Sequence, residues 1–496
     1  MLELIERAYN FKDRIAVKSD GFNFTYQTLL NKSESIAVEL LAGKRDLEEQ
    51  RVTFLIDPSF EYVCVQWGIW RAGGIAVPLC VKHPLESIKY VIEDTETSIL
   101  IYSKKYKNLI EPLFVNTNIR FIKAEALSNI FGALPEVNIN RRAMIIYTSG
   151  TTGLPKGVVS THKNIEAQIT GLIHLWKWDK DDHILNVLPM HHVHGIINVL
   201  SCALWSGACC KFLPKFNPEE IFRLFKKQEI NVFMAVPTIY FKLIAYWNDL
   251  QEQEKQAISL VLKQFRLMVS GSAALPVSVH EKWEHISQHV LLERYGMTEI
   301  GMAISNPYNG VRRPGFIGQP LPGVTVRLTN EKGETVNLGE PGEIQVKGDN
   351  VFKEYWNKPE ATHDAFTDDG WFKTGDIAIL NNGSYKILGR NSIDIIKSGG
   401  YKISALEIEE VLRQHSSIKD CAVIGLPDEE WGEIIGVSLV LKVENLNIGN
   451  LKSWLKEKLP GYKIPKKYII QNDLPRNAMG KVTKNEVKKL FNVNIL

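Results

Sequence analysis

Apolar residues along this chain follow two rhythms, and the change between them divides it. Up to about residue 300, short Val/Ile-rich runs alternate with helical segments, a pattern of layered α/β structure. Ala143-Met144-Ile145-Ile146-Tyr147 predicts a buried strand, and Val158-Val159 a second. Thr161 then opens a helix with Ile165, Ile169, Leu172, Ile173 and Trp176 on one face. From about 312 to 389 the rhythm is that of strands and hairpins. Ile377-Ala378-Ile379-Leu380 and Ser384-Tyr385-Lys386-Ile387-Leu388 flank Asn381-Asn382-Gly383, and Asn-Gly suits a two-residue turn because both central residues need positive φ. Counting back from that turn sets Asp376 opposite Gly389 and close to Arg390. Beyond Arg390 a smaller α+β unit is predicted. A capping box of Ser404 and Glu407 opens a helix through Leu412. Strands cover 422–424 and 434–441, followed by a helix near 451–459 and a strand at 467–470.

At 496 residues the chain exceeds what one core holds, so two or more domains are expected. Its 45% apolar and 23% charged content is that of a globular protein. A net charge of +3 gives no reason to expect nucleic acid as a partner. The basic excess sits in the last 46 residues, which hold eleven Lys/Arg against three Asp/Glu. Such a face suits an anionic ligand as well as solvent. Six cysteines without CxxC spacing fit reduced, buried thiols in the cytoplasm or an organelle matrix. The most apolar stretch, 195–210, is shorter than a membrane span, so no membrane insertion is expected. The N-terminus resembles neither a secretory signal nor a basic transit peptide.

The chemistry concentrates in Tyr147-Thr148-Ser149-Gly150-Thr151-Thr152-Gly153-Leu154-Pro155-Lys156-Gly157. Four aliphatic hydroxyls, three glycines and a lysine form a loop that backbone N–H groups and an ammonium can wrap around phosphate oxygens. A P-loop would end in Gly-Lys-Ser/Thr and run into a helix. Here Lys156 precedes Gly157 and the loop joins two strands, which disfavours kinase-type or GTPase-type phosphate binding.

This segment resembles the adenylate-forming superfamily of acyl-CoA synthetases, peptide-synthetase adenylation domains and luciferases. Further segments resemble it in the family's order: Arg71-Ala72-Gly73-Gly74-Ile75-Ala76-Val77-Pro78-Leu79, Tyr295-Gly296-Met297-Thr298-Glu299, Thr374-Gly375-Asp376, Gly389-Arg390 and Pro475-Arg476-Asn477-Ala478-Met479-Gly480-Lys481. The resemblance spans essentially the whole chain. It implies a large N-terminal multilayer α/β domain over 1–390, with a β-barrel-like subdomain at 312–389. A small, mobile C-terminal α+β domain would occupy 391–496, hinged at 392–394.

The resemblance also implies a two-step reaction. A carboxylate attacks the α-phosphorus of ATP to give an acyl-adenylate and pyrophosphate, and the thiol of coenzyme A then displaces AMP. Thr148, Ser149, Gly150, Thr151, Thr152, Gly153 and Lys156 would hold the β- and γ-phosphates. Glu299 would hold Mg²⁺ and Thr298 would bond the α-phosphate. Tyr295 and Gly296, with Gly271, Ser272 and Ala273 opposite, would take adenine, while Asp376 and Arg390 would take the ribose. Lys481 would bridge the attacking carboxylate and the α-phosphate. The Lys397, Gly399, Gly400, Tyr401 and Lys402 loop would serve thioester formation. His191, His192 and His194 suggest a metal, but no fourth ligand stands at zinc-like spacing. The resemblance instead makes them a substrate-channel loop, with His192 the principal lining residue.

The continuation Ser305-Asn306-Pro307-Tyr308-Asn309-Gly310-Val311-Arg312-Arg313-Pro314-Gly315 resembles malonyl-CoA synthetases. Malonate, or methylmalonate, brings a second carboxylate whose burial demands a cationic partner. Arg312 is the expected partner and Arg313 the substitute, with His192, His194 and Met302 lining the acyl pocket. Two other readings share these motifs: a coenzyme A ligase for a short or aryl monocarboxylic acid, and a stand-alone adenylation enzyme that loads a carrier protein.

Overall fold

The computed structural model describes residues 2–115, 118–126, 130–148, 154–399, 401–477 and 480–493. Two large sheets carry the first part of the chain. The seven-stranded sheet orders its strands Glu354–Tyr355, Lys156–Thr161, Arg142–Thr148, Ile75–Pro78, Arg51–Leu55, Ile99–Tyr102 and Arg120–Lys123. The nine-stranded sheet has a parallel centre in which His183–Asn186, Val232–Ala235, Leu267–Ser270 and Leu292–Met297 lie side by side. These central strands are buried on both faces, as their unbroken apolar runs require.

The helix His162–Trp176 starts where predicted. Thr161 caps it with its side chain, and Asn164 returns the bond to the Thr161 backbone. Ile165, Ile169, Leu172 and Trp176 are buried, whereas Ile173 is half-buried at the edge of the stripe.

One segment couples the two sheets. Phe352 N–H donates to the Glu299 carbonyl on the nine-stranded side. Lys353 and Trp356 N–H groups donate to Val159 and Gly157 on the seven-stranded side. Tyr355 is thereby fixed between the two.

The β-rich region forms a four-stranded antiparallel sheet of Val324–Thr329, Gly342–Gly348, Phe372–Asn381 and Ser384–Arg390. Its last hairpin turns at Asn382 and Gly383, with φ of 49° and 73° as the turn type demands. Ala378 pairs with Ile387 as counted, but a bulge at Leu388 then shifts the register. Asp376 therefore lies opposite Arg390, not Gly389.

The final unit packs Ile395–Ser398, Tyr401–Ser404, Ile418–Asp428, Gly432–Leu441 and Lys467–Gln471 into one sheet with the helix Ala405–Arg413 against it. Only half of the expected capping box forms: Ser404 Oγ accepts from Glu407 N–H, while the Glu407 carboxylate accepts from Lys463. All six cysteines are free thiols. No helix among the described residues is long and apolar enough to cross a membrane.

Candidate active site

Three parallel pairings end side by side: the chain leaves two strands at Val236-Pro237-Thr238 and Gly271-Ser272-Ala273, and the third runs on past its parallel partner into Tyr295-Gly296. Crevices at the carboxyl ends of parallel strands are where open α/β sheets bind ligands. The site grows from these three exits.

On one side stands the hairpin whose loop carries the hydroxyls. Thr148 pairs directly with Lys156, closing the loop across the ladder. Ser149, Gly150, Thr151, Thr152 and Gly153 lie outside the described residues. The stems are held from below: Tyr147 donates to Asp94, and Tyr90 donates to the Pro155 carbonyl at 2.8 Å. The Lys156 ammonium lies 4.9 Å from the centre of the Tyr355 ring. Tyr355 in turn donates to Glu299 at 2.9 Å. The segment joining the sheets thus brings the loop's lysine next to the carboxylate of the other sheet.

Glu299 is buried, and burial holds its carboxyl above the usual range despite the Tyr355 bond. A cation would reverse that penalty, so its chemistry suits Mg²⁺. No cluster of three or more Asp, Glu, His or Cys among the described residues could cage a metal alone. Thr298, half-buried, occupies the turn just before Glu299.

Facing this, Asp376 and Arg390 of the four-stranded sheet form a polar triad with Tyr295 of the nine-stranded sheet. Tyr295 donates to Asp376 Oδ2 at 2.7 Å, and Arg390 Nε donates to Asp376 Oδ1 at 2.9 Å. Arg390 Nη2 also donates to the Thr374 carbonyl at 3.3 Å. The bulge at Leu388 is what places Arg390 directly across from Asp376. Gly296 stacks so closely on Gly301 that a Cβ would come within 1.9 Å of its carbonyl oxygen. Buried Met302 follows at the same contact, its methyl 2.5 Å from that position.

On the third side stands a residue the sequence reading gave no role, Arg294, among Ser272, His192 and His194. Arg294 is 3% exposed, and its Nη2 donates to Ser272 Oγ at 3.3 Å. Among the described residues its Nε and Nη1 have no partner. Burial draws this guanidinium down to about 9. Among the described residues its cation finds no carboxylate, since Glu293, next in the strand, points to the opposite face. There Glu293 contacts His280 and accepts from Gly315 N–H. Ser272 adopts a left-handed backbone (φ 71°), and its Oγ meets His194 Nδ1 at 3.3 Å as well. His194 Nε2 is buried without a partner among the described residues. The His191 and His192 rings lie 4.2 Å apart, and His83 stands 6.2 Å beyond His191. Burial first, then neighbouring positive charge, holds His191 down to about 2 and His192 to about 4. Neutral imidazoles line this wall.

Arg312 does not belong to that wall. Its Nε, Nη1 and Nη2 donate to the Pro307, Val290 and Tyr308 carbonyls at 3.0, 2.7 and 2.6 Å. The guanidinium organises its own loop. Arg313 lies over Phe316 and donates to the Asn381 carbonyl, so it too serves structure.

From the final unit, Gly480 comes against the first of the three exits: a Cβ there would lie 3.6 Å from the Thr238 side chain. Lys481 follows, exposed, with its N–H donating to Asn477. The glycine loop points elsewhere. Lys397 pairs with Glu331 at 3.7 Å, in a turn of the four-stranded sheet. Gly399 (φ 55°) packs on Trp431, and Tyr401 stacks on Tyr462 at 4.4 Å. Gly400 and the Lys402 side chain lie outside the described residues.

Residues 4–356 match the family described as AMP-binding enzyme, and residues 407–481 match its C-terminal domain. Malonate–CoA ligase ACSF3, mitochondrial, of Homo sapiens is 45% identical over 98% of this chain and 91% of its own length. ATP-bound MatB from Rhodopseudomonas palustris superposes with a TM-score of 0.90 at 33% identity, covering 99% of each chain. A malonyl-CoA ligase ternary product complex with methylmalonyl-CoA and AMP superposes with a TM-score of 0.71 at 32% identity, covering 96% of this chain and 100% of that one.

Proposed function

The chain belongs to the AMP-binding enzyme family, and we propose that it is an AMP-forming ligase joining malonate to coenzyme A through an acyl-adenylate. Arg294 carries the choice of acid. A guanidinium buried with two nitrogens unpartnered among the described residues costs several kcal/mol, and a substrate's distal carboxylate would supply the anionic acceptor it lacks. Acetate or butyrate would leave it unpaired, a discrimination no apolar pocket achieves with one methylene. Methylmalonate differs by one methyl group, which buried Met302 could admit.

In the first step a carboxylate oxygen bonds to the α-phosphorus and pyrophosphate departs. Bringing one anion to another makes charge neutralisation the main task. Lys156 and Thr148 would meet the β- and γ-phosphates, and Lys481 would span the nucleophile and the α-phosphate. Glu299 would hold Mg²⁺, which supplies further neutralisation of the polyphosphate. Asp376, oriented by Tyr295 and Arg390, accepts from the ribose hydroxyls. In the second step the thiol loses its proton, sulfur bonds to the acyl carbon and AMP departs. Neutral His192 lines the passage without repelling or trapping the incoming thiol.

We infer that residues 391–496 turn about 392–394 between the steps. Two observations support this. Gly480 sits at the site while Lys397 and Gly399 have their partners elsewhere, and the superposition is closer to the ATP-bound relative than to the product complex. The reaction suits the cytoplasm or an organelle matrix, and the human relative's name reads mitochondrial.

Pyrophosphate release across mono- and dicarboxylic acids, with and without coenzyme A, tests the proposal. Malonate and methylmalonate should lead, and AMP release should require free coenzyme A. Medium-chain monoacids outcompeting malonate, or a carrier protein replacing coenzyme A, would refute it.

A further inference from the structure

Lys481 is exposed, yet the first step needs its ammonium at one place. Packing does little to put it there. The loop that carries it runs between buried Leu474 and half-buried Val482, and among the described residues between these two no side chain joins an apolar cluster. Inside the loop, Arg476 pairs with Val482, Asn477 N–H donates to the Lys481 carbonyl at 2.9 Å, and Lys481 N–H donates to Asn477 Oδ1 at 3.0 Å. Those bonds set the loop's shape but not its place on the final unit.

Its place is set by charge. Arg476 Nη1 donates to the Gly480 carbonyl at 2.8 Å, one residue before Lys481. Arg476 Nη2 donates to Asp420 Oδ2 on the strand Ile418–Asp428. Asp420 is itself held, because its Oδ1 accepts from Cys421 N–H at 2.8 Å and lies 3.8 Å from Arg413 Nε. Arg413 Nη2 donates to Glu409 at 3.1 Å. The Lys484 ammonium lies 2.7 Å from Glu409 and 2.7 Å from Asp394, whose other oxygen accepts from Arg390 N–H at 3.1 Å.

Three acids thus alternate with three bases, from segment 392–394 to the Gly480 carbonyl. Glu409 and Lys484 are the buried members. Against the downward pull of burial, Glu409 and then Asp394 hold the Lys484 ammonium above its ordinary range, so the charges at this end are kept. Removing any one of them would strand its neighbours, which makes the chain a stiff support for Asp420.

We propose that Asp420 and Arg476 are positioning residues for the first half-reaction, fixing the Lys481 loop on the final unit so that the ammonium reaches both carboxylate and α-phosphate. This rests on the role given to Lys481 above. The task suits a guanidinium, whose separate nitrogens reach the loop carbonyl and the carboxylate at once, whereas an ammonium is a single point. Asp420→Asn should break the support with almost no change of shape. Its one amide oxygen is needed by Cys421 N–H, so its amide nitrogen faces Arg476, donor against donor.

The two half-reactions, measured separately in Asp420→Asn, in Lys481→Ala and in the double variant, test this. Pyrophosphate release from ATP and malonate should fall about tenfold in Asp420→Asn, while malonyl-CoA formation from supplied malonyl-adenylate stays within about twofold of the parent. In the Lys481→Ala background the same substitution should cost nothing further, since no ammonium remains to be placed. Arg476→Lys should reproduce the pattern, and it replaces Asp420→Asn should that variant fold poorly. Equal loss in both half-reactions, or losses that multiply in the double variant, would overturn the assignment. An impaired Lys481→Ala beside unimpaired Asp420→Asn and Arg476→Lys would overturn the positioning alone, whereas an unimpaired Lys481→Ala would overturn the role of Lys481 and the positioning with it.

Discussion

A Cβ on Gly271 would lie 2.5 Å from the central guanidinium carbon of Arg294. Glycine at this strand exit is therefore what lets a buried cation lie flat against the backbone. Gly271→Ala should displace the guanidinium and lower kcat/KM for malonate by roughly ten- to a hundredfold. Arg294→Met should lose malonate selectivity altogether. Without ligand it should gain about 1–2 kcal/mol of stability, because an unpaired buried charge gives way to an apolar group. Thermal unfolding of the apo variant checks the second result. A destabilised Arg294→Met that still prefers malonate contradicts the assignment.

The same arginine predicts a pH dependence. Its pKa in the free enzyme is drawn down to about 9, and a bound carboxylate would raise it again. Malonate affinity should thus be full below that value and fall as pH rises through it, approaching tenfold per unit. Acetate, which gains nothing from the charge, should show no such fall. Initial rates at saturating ATP between pH 7 and 10 compare the two acids, and parallel profiles would count against Arg294.

Arg312→Ala should act on stability rather than on choice of acid. Three backbone carbonyls lose a charged donor, which costs about 2–4 kcal/mol. The melting temperature should drop, while the ratio of malonate to acetate kcat/KM stays close to that of the parent. A collapse of that ratio with an unchanged melting temperature would restore Arg312 to the pocket.

Why Arg312 misled and Arg294 was overlooked has a physical reason. Two arginines in a Pro/Gly-rich loop look available, but a loop must satisfy its own carbonyls, and Arg312 does that work. Arg294 sits in the run Leu291-Leu292-Glu293-Arg294-Tyr295, where its neighbour Glu293 suggests a neutral pair. Alternation along a strand forbids that pairing, so an unpaired buried cation was legible from the pattern. The Asn382-Gly383 turn and the convergence of Asp376 with Arg390 were legible from local rules. The bulge at Leu388 was not, because nothing in the alternation marks an extra residue. The meeting of Lys156 with Glu299 through Tyr355 depends on 352–356 bridging two sheets, a contact between distant segments that no local spacing encodes.

The account rests on one mobile lysine serving only the first half-reaction. The decisive measurement compares both half-reactions in Lys481→Ala: pyrophosphate release from ATP and malonate, and malonyl-CoA formation from supplied malonyl-adenylate. The first should fall roughly a hundred- to a thousandfold, as when one charge-stabilising donor is removed. The second should stay within about threefold of the parent, since Lys481 has left the site by then. Equal loss of both, or loss of neither, would contradict it.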